Sequence, residues 1–180
     1  MKKLVCVVSL VLMLCSTFAC RDKAEKAELE KFRAQAKLEE QNKTLVNRLY
    51  EALNKEDFGA IKELVALEYV YYSPSNTAKP HSIEELIEGL KLFYKGFPDR
   101  NFSIEELIVS RNRVMSRWIM RGTHQGEFEG IPATGNKFET SGILTTRIEN
   151  GKIVENREDW DMLTFMQQLG MELKPKEVKK

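Results

Sequence analysis

The stretch KFETSGILTTRIENGKIVENREDWD, Lys137 to Asp161, holds two β-prone runs joined by Glu149-Asn150-Gly151. Asn-Gly tolerates the positive φ of a type I′ turn, whose twist matches that of its flanking strands. These residues therefore predict a hairpin of strands over Lys137–Ile148 and Lys152–Asp161. Upstream, Val114 to His124 keeps the same period of two. Val114, Ser116, Trp118, Met120, Gly122 and His124 share one face, and Met115, Arg117, Ile119, Arg121 and Thr123 share the other. Phe102 and Ile104 open a further strand, and the Gly-rich run from Gly122 to Gly135, with Pro132, reads as a loop.

Before Pro98 the period is that of a helix. Ser82-Ile83-Glu84-Glu85 forms a capping box. It opens a helix whose apolar face is Ile83, Leu86, Ile87, Leu90, Phe93, Tyr94 and Phe97, closed by Gly96 and Pro98. An earlier helix carries Leu45, Val46, Leu49, Tyr50 and Leu53, and Asp57 caps a short one holding Ile61, Leu64 and Val65. Tyr69 to Tyr72 is β-prone and runs into a Ser73-Pro74 turn. Helices first and a meander of strands afterwards predict an α+β domain, with N-terminal helices packed on one face of a curved antiparallel β-sheet.

The N-terminus is of another kind. Lys2-Lys3 precede an apolar run from Leu4 to Ala19, too short for a comfortable membrane span and right for a signal peptide. The run ends in Ser16-Thr17-Phe18-Ala19-Cys20, followed by Arg21-Asp22-Lys23. A small residue before a Cys at that point resembles the lipobox of bacterial lipoproteins, which implies cleavage before Cys20, acylation of its thiol and a lipid anchor in the bacterial cell envelope. Residues 20–43 then read as a charged helical tether, residues 44–172 as the domain, and residues 173–180 as a basic disordered tail. Cys6 and Cys15 would leave with residues 1–19, so no intramolecular disulfide is expected.

Lys+Arg 28 against Asp+Glu 27 gives a net charge of +1, and loss of Lys2 and Lys3 leaves 26 against 27, or −1. A chain this balanced has no broad cationic face for nucleic acid. Two separated histidines without a His-Glu-x-x-His pattern argue against a metal site. No Ser-His-Asp order is present, and Gly122, Gly126 and Gly130 are not spaced as a phosphate loop.

Gly122-Thr123-His124-Gln125-Gly126-Glu127-Phe128, Gly130-Ile131-Pro132-Ala133-Thr134-Gly135, Glu149 to Glu155, Trp160-Asp161 and Gln168-Leu169-Gly170 occur in this order. Together they resemble the SnoaL-like polyketide cyclases, also called ester cyclases, of the NTF2-like superfamily, over about residues 45–172. The resemblance implies a cone-shaped fold enclosing a pocket, a homodimer, and ring closure by intramolecular aldol condensation without metal or cofactor. It also implies an acid/base aspartate near the end of the last strand, which is Asp161 here. Arg157 stands where that family often carries an aromatic residue.

The expected site is thus Asp161 as base, with His124 as a donor to an enolate oxygen and Trp118, Met120, Tyr71, Tyr72 and Trp160 lining the pocket. The competing expectations are a salt bridge from Arg157 that holds Asp161 inert, and a purely structural His124. The ligand expected is a small apolar carbonyl compound, and the alternative function is a non-catalytic module that binds a small ligand. Met115, Ile119 and Ile143 on the outer sheet face leave apolar area for a twofold contact.

Overall fold

The structure, a computed structural model, describes residues 2–172, with side chains from residue 23 onward. The proposed signal segment and the side chain of Cys20 lie outside the described side chains, and the tail 173–180 lies outside the described residues. The elements are α1 (Lys2–Lys55), α2 (Phe58–Leu64), β1 (Val65–Tyr72), α3 (Ile83–Gly96), β2 (Asn101–Ser110), β3 (Arg113–Thr123), β4 (Lys137–Glu149), β5 (Lys152–Trp160) and α4 (Met162–Gln168). The chain divides into two units between Glu40 and Gln41. In the first unit, Leu29, Phe32 and Leu38 are exposed, and Gln35 Nε2 donates to Glu39 Oε1 at 3.0 Å across one helical turn. Among the described residues no helix is long and apolar enough to cross a membrane.

The second unit is α+β. Its sheet has the order β1-β5-β4-β3-β2, and β2 to β5 form an antiparallel meander. Asn150 and Gly151, at φ 50° and 73°, make the expected turn between β4 and β5. One part of the expectation is corrected: β1 pairs with β5 in parallel, so the sheet is mixed. A parallel neighbour needs a crossover rather than a hairpin, and α3 with β2 to β4 supplies it. Nothing local in β1 announces a partner so far along the chain.

The predicted signals close as physics requires. Ser82 Oγ accepts from Glu85 N at 3.2 Å and the Glu85 carboxylate accepts from Ser82 N at 2.9 Å, which completes the capping box. Asp57 caps α2 through Ala60 N. The inward face of the sheet is buried at Val114, Ser116, Trp118 and Met120 of β3 and at Phe138, Thr140, Leu144 and Thr146 of β4. Leu45, Val46, Leu49 and Tyr50 of α1 belong to the same core, and Asn54 fastens the end of α1 to β2 by paired bonds with Phe102 N (2.8 Å) and O (2.9 Å). Fully buried Phe97 knots the other end, its ring centroid 4.7–5.3 Å from those of Phe93, Phe128, Phe138 and Phe165. Aromatic pairs of this kind add about 0.5–1.5 kcal/mol each beyond the area they bury.

Candidate active site

Side chains alternate along a strand. In β5, Asn156, Glu158 and Trp160 turn inward, and Glu155, Arg157 and Asp159 turn to the outer face. The register sets Gly142 of β4 between Trp118 and Trp160, and Leu144 between Ser116 and Glu158. A Cβ at Gly142 would collide with the Trp118 ring and lie 2.7 Å from Cβ of Trp160. Without it the two indoles meet over β4, 6.5 Å between centroids.

These residues wall a cavity of two adjoining chambers. The outer one, about 370 Å³, is lined by Tyr71, Phe93, Phe102, Trp118, Phe128 and Trp160 together with Met120 and Met162. The inner one, about 70 Å³, lies among Leu49, Leu53, Ile61, Val65, Tyr50, Tyr69 and Asn156. Tyr71, Leu86, Leu90, Phe102 and Glu158 border both. Glu158 and Glu129 are the charged residues on these walls, and no cation lines them among the described residues.

Glu158 is the chemically distinctive group. The surface it retains opens on the cavity, and Tyr71 Oη donates a hydrogen bond to its carboxyl. Burial pushes this carboxyl up from 4.5 to about 7, against the opposing pull of Tyr71 and Trp118, and neighbouring Asp159 adds a little repulsion. The Trp118 indole N–H is buried and makes no full hydrogen bond, yet its positive end still favours the carboxylate. Tyr71 is raised well above the ordinary tyrosine range by burial and by Glu158, so its hydroxyl keeps its proton. A carboxyl that is half ionised near neutrality, among aromatic walls and beside the Trp118 N–H, is equipped to move a proton.

The structure brings Trp118, Met120, Tyr71 and Trp160 to this cavity and leaves three expected residues outside it. Asp161 is exposed: its carboxylate accepts from Thr164 N at 2.9 Å and caps α4. The hydroxyl and amide of Thr164 hold it below the ordinary carboxylate range. Trp160 and Asp161 are adjacent, so the period of two denies them a common face. The same rule separates Tyr71 from Tyr72, which lies under the Arg157 guanidinium at 3.9 Å. Arg157 donates to Glu155 at 3.0 Å and to Ser75 O at 2.8 Å, and makes no pair with Asp161. His124 is fully buried, stacked 5.1 Å from Phe97, with Nδ1 3.1 Å from Thr134 Oγ1. It lines neither chamber, and its backbone bonds to Gly135 and Asn136 close the loop that follows β3.

Residues 43–169 match the family model of the SnoaL-like polyketide cyclases. The chain belongs to that family. Aklanonic acid methyl ester cyclase DnrD of Streptomyces peucetius is 29% identical over 133 residues, which cover 70% of this chain and 88% of the relative. The crystal structure of wild-type IdmH from Streptomyces antibioticus is 29% identical with a TM-score of 0.66, covering 73% of this chain and 99% of that one. AclR from Streptomyces galilaeus superposes with a TM-score of 0.68 at 26% identity, covering 73% and 97%. This SnoaL-like domain therefore has the NTF2-like α+β fold, with the cavity on the inner side of the curved sheet. Glu158, Asn156 and Tyr69 escaped the motif-based expectation. The signal that finds them is parity with Trp160 and Tyr71.

Proposed function

We propose that the chain is a lipid-anchored envelope protein whose SnoaL-like domain performs cofactor-free acid/base chemistry, an aldol-type cyclisation or isomerisation, on a small, apolar, uncharged carbonyl compound. The observation that carries this reading is the Glu158 carboxyl, bonded to Tyr71 and raised to about 7 inside an aromatic cavity. Ionised Glu158 takes a proton α to the carbonyl, and the electron pair moves onto oxygen as an enolate, which the Trp118 indole N–H on the same wall can stabilise. In a cyclisation the enolate carbon attacks a second carbonyl of the same molecule, forming one C–C bond. The resulting alkoxide recovers the proton from Glu158, so the site returns to its starting state. The acidic, cation-free walls disfavour anionic substrates. Membership of a family that includes a methyl ester cyclase supports the reaction class.

The anchor is supported by the basic start, the apolar run to Ala19 and the charged residues after Cys20. A homodimer through the outer sheet face is supported by exposed Ile108 and Ile143.

The chemistry is tested by incubating the protein with an aryl ketone such as propiophenone in deuterium oxide and following α-deuteration by NMR. Glu158→Gln should lose about 10²- to 10⁴-fold of the catalysed exchange. Asp161→Asn, which keeps an amide-competent cap, should exchange like wild type. Equal exchange by wild type and Glu158→Gln would leave the second reading, a binding module, which the exposure of Asp161 favours.

A further inference from the structure

The inner chamber holds an unfinished hydrogen-bond pair. Asn156, 4% exposed, donates from Nδ2 to Tyr69 Oη at 3.1 Å, and its Oδ1 is buried without a partner among the described residues. Tyr69, also 4% exposed, accepts that bond, and its own O–H proton reaches no acceptor among the described residues. Burial keeps the proton on Tyr69. The chamber therefore presents one free acceptor, Asn156 Oδ1, and two free donors, the Tyr69 O–H and the second Asn156 N–H. Turning the amide over changes which residue supplies which: Tyr69 would donate to Oδ1, leaving Nδ2 as donor and the Tyr69 lone pair as acceptor. Either way the missing partner must donate one hydrogen bond and accept another.

An unpaired polar group buried in a folded protein costs about 1–3 kcal/mol, so such a pair marks a place where something binds. The other polar groups on this wall are engaged, Tyr50 with Ser116 at 2.8 Å and Tyr71 with Glu158. The remaining wall is aliphatic, from Leu49, Leu53, Ile61 and Val65. A hydroxyl oxygen, unlike an ether, a ketone or a methyl group, both donates and accepts. Water has the same chemistry but leaves the aliphatic wall without an apolar partner, whereas the carbon of an alcohol suits that wall.

We propose that the inner chamber is a subsite for a hydroxyl group of the substrate, held between Asn156 and Tyr69 while the carbonyl end lies by Glu158 in the outer chamber. Resting on the acid/base reading above, this narrows the substrate to hydroxylated carbonyl compounds.

The test uses the full chain, 15N-labelled, with two probes of one shape: benzyl alcohol, and ethylbenzene, in which a methyl replaces the hydroxyl. Affinities are read from the Asn156 side-chain amide and the Trp118 indole signals. The ratio of the two affinities is compared between wild type and variants, which cancels partitioning of the probes. Benzyl alcohol should shift the Asn156 amide. Its advantage over ethylbenzene should fall about fivefold in Tyr69→Phe and by five- to tenfold in Asn156→Leu, about the worth of one or two hydrogen bonds. Tyr69→Phe keeps the shape of the wall, so the test survives if Asn156→Leu fails to fold. An unchanged ratio in Tyr69→Phe would overturn the proposal. So would a water cross-peak to the Asn156 amide that persists at saturating benzyl alcohol, which would give the chamber to water. The acid/base reading is judged separately by α-deuteration of propiophenone, which carries no hydroxyl, so its failure and failure of the hydroxyl subsite are separate results.

Discussion

Replacing Glu158 by Gln should stabilise the protein in alkaline solution and do little in acid. The folded protein holds this carboxyl at about 7, against 4.5 for an ordinary glutamate. Between those values the folded state keeps a proton that the unfolded chain has released, so stability from this group is complete below about 4.5 and is lost as pH rises through about 7. Ionising a group displaced that far costs about 3 kcal/mol, somewhat less to the extent that the cavity admits water. Gln has the same size, still accepts from Tyr71 and never ionises. The variant should therefore match wild type near pH 4 and exceed it by about 3 kcal/mol above pH 8. The assay is urea denaturation at both pH values. Its signal is the fluorescence of the chain's two tryptophans, Trp118 and Trp160, both of which line the cavity. Parallel pH profiles for the two proteins would show that Glu158 ionises without penalty, and the reasoning about its environment would fail.

Other outcomes follow from the same geometry. Gly142→Ala should destabilise by about 1–3 kcal/mol, because the new methyl overlaps Trp118 and Trp160; a thermal melt unchanged from wild type would contradict that packing. If Cys20 carries the proposed acyl chains, Cys20→Ala should move the protein from the membrane fraction to the soluble one without changing its far-UV circular dichroism. Sedimentation equilibrium should give twice the monomer mass, and Ile143→Glu should reduce it to one, since a charge on the exposed outer face opposes apolar association.

The elements legible in the sequence are those whose signals are local. The Ser82–Glu85 capping box, the apolar stripe from Ile83 and the Asn150-Gly151 turn each satisfy their own hydrogen bonds within a few residues. The parallel place of β1 depends on pairing with Ile153 to Arg157 of β5, far along the chain, and has no local mark. In the sequence Asp161 reads as the end of a strand, which leaves α4 unannounced, whereas the residue serves as that helix's cap. Motif position drew the acid/base role to Asp161, whereas strand parity alone pairs Glu158 with Trp160 and Asn156. His124 shows the limit of parity: it lies on the predicted inner side of β3 but falls beyond the cavity, behind Phe97.

The parallel seam between β1 and β5 carries a kinetic consequence. Strands β2 to β5 can zip through short connections, whereas β1 must close a loop of more than eighty residues to reach its partner, a slow and entropically costly event. Tyr71 and Glu158 face each other across that seam alone. The hydrogen bond between Tyr71 and Glu158 therefore exists only while β1 is docked, and it should open with that edge strand. A partly unfolded molecule that keeps its antiparallel meander, with Trp118 and Trp160 on it, would lack this pair. On the proposed acid/base reading, activity would report that β1 has closed onto β5.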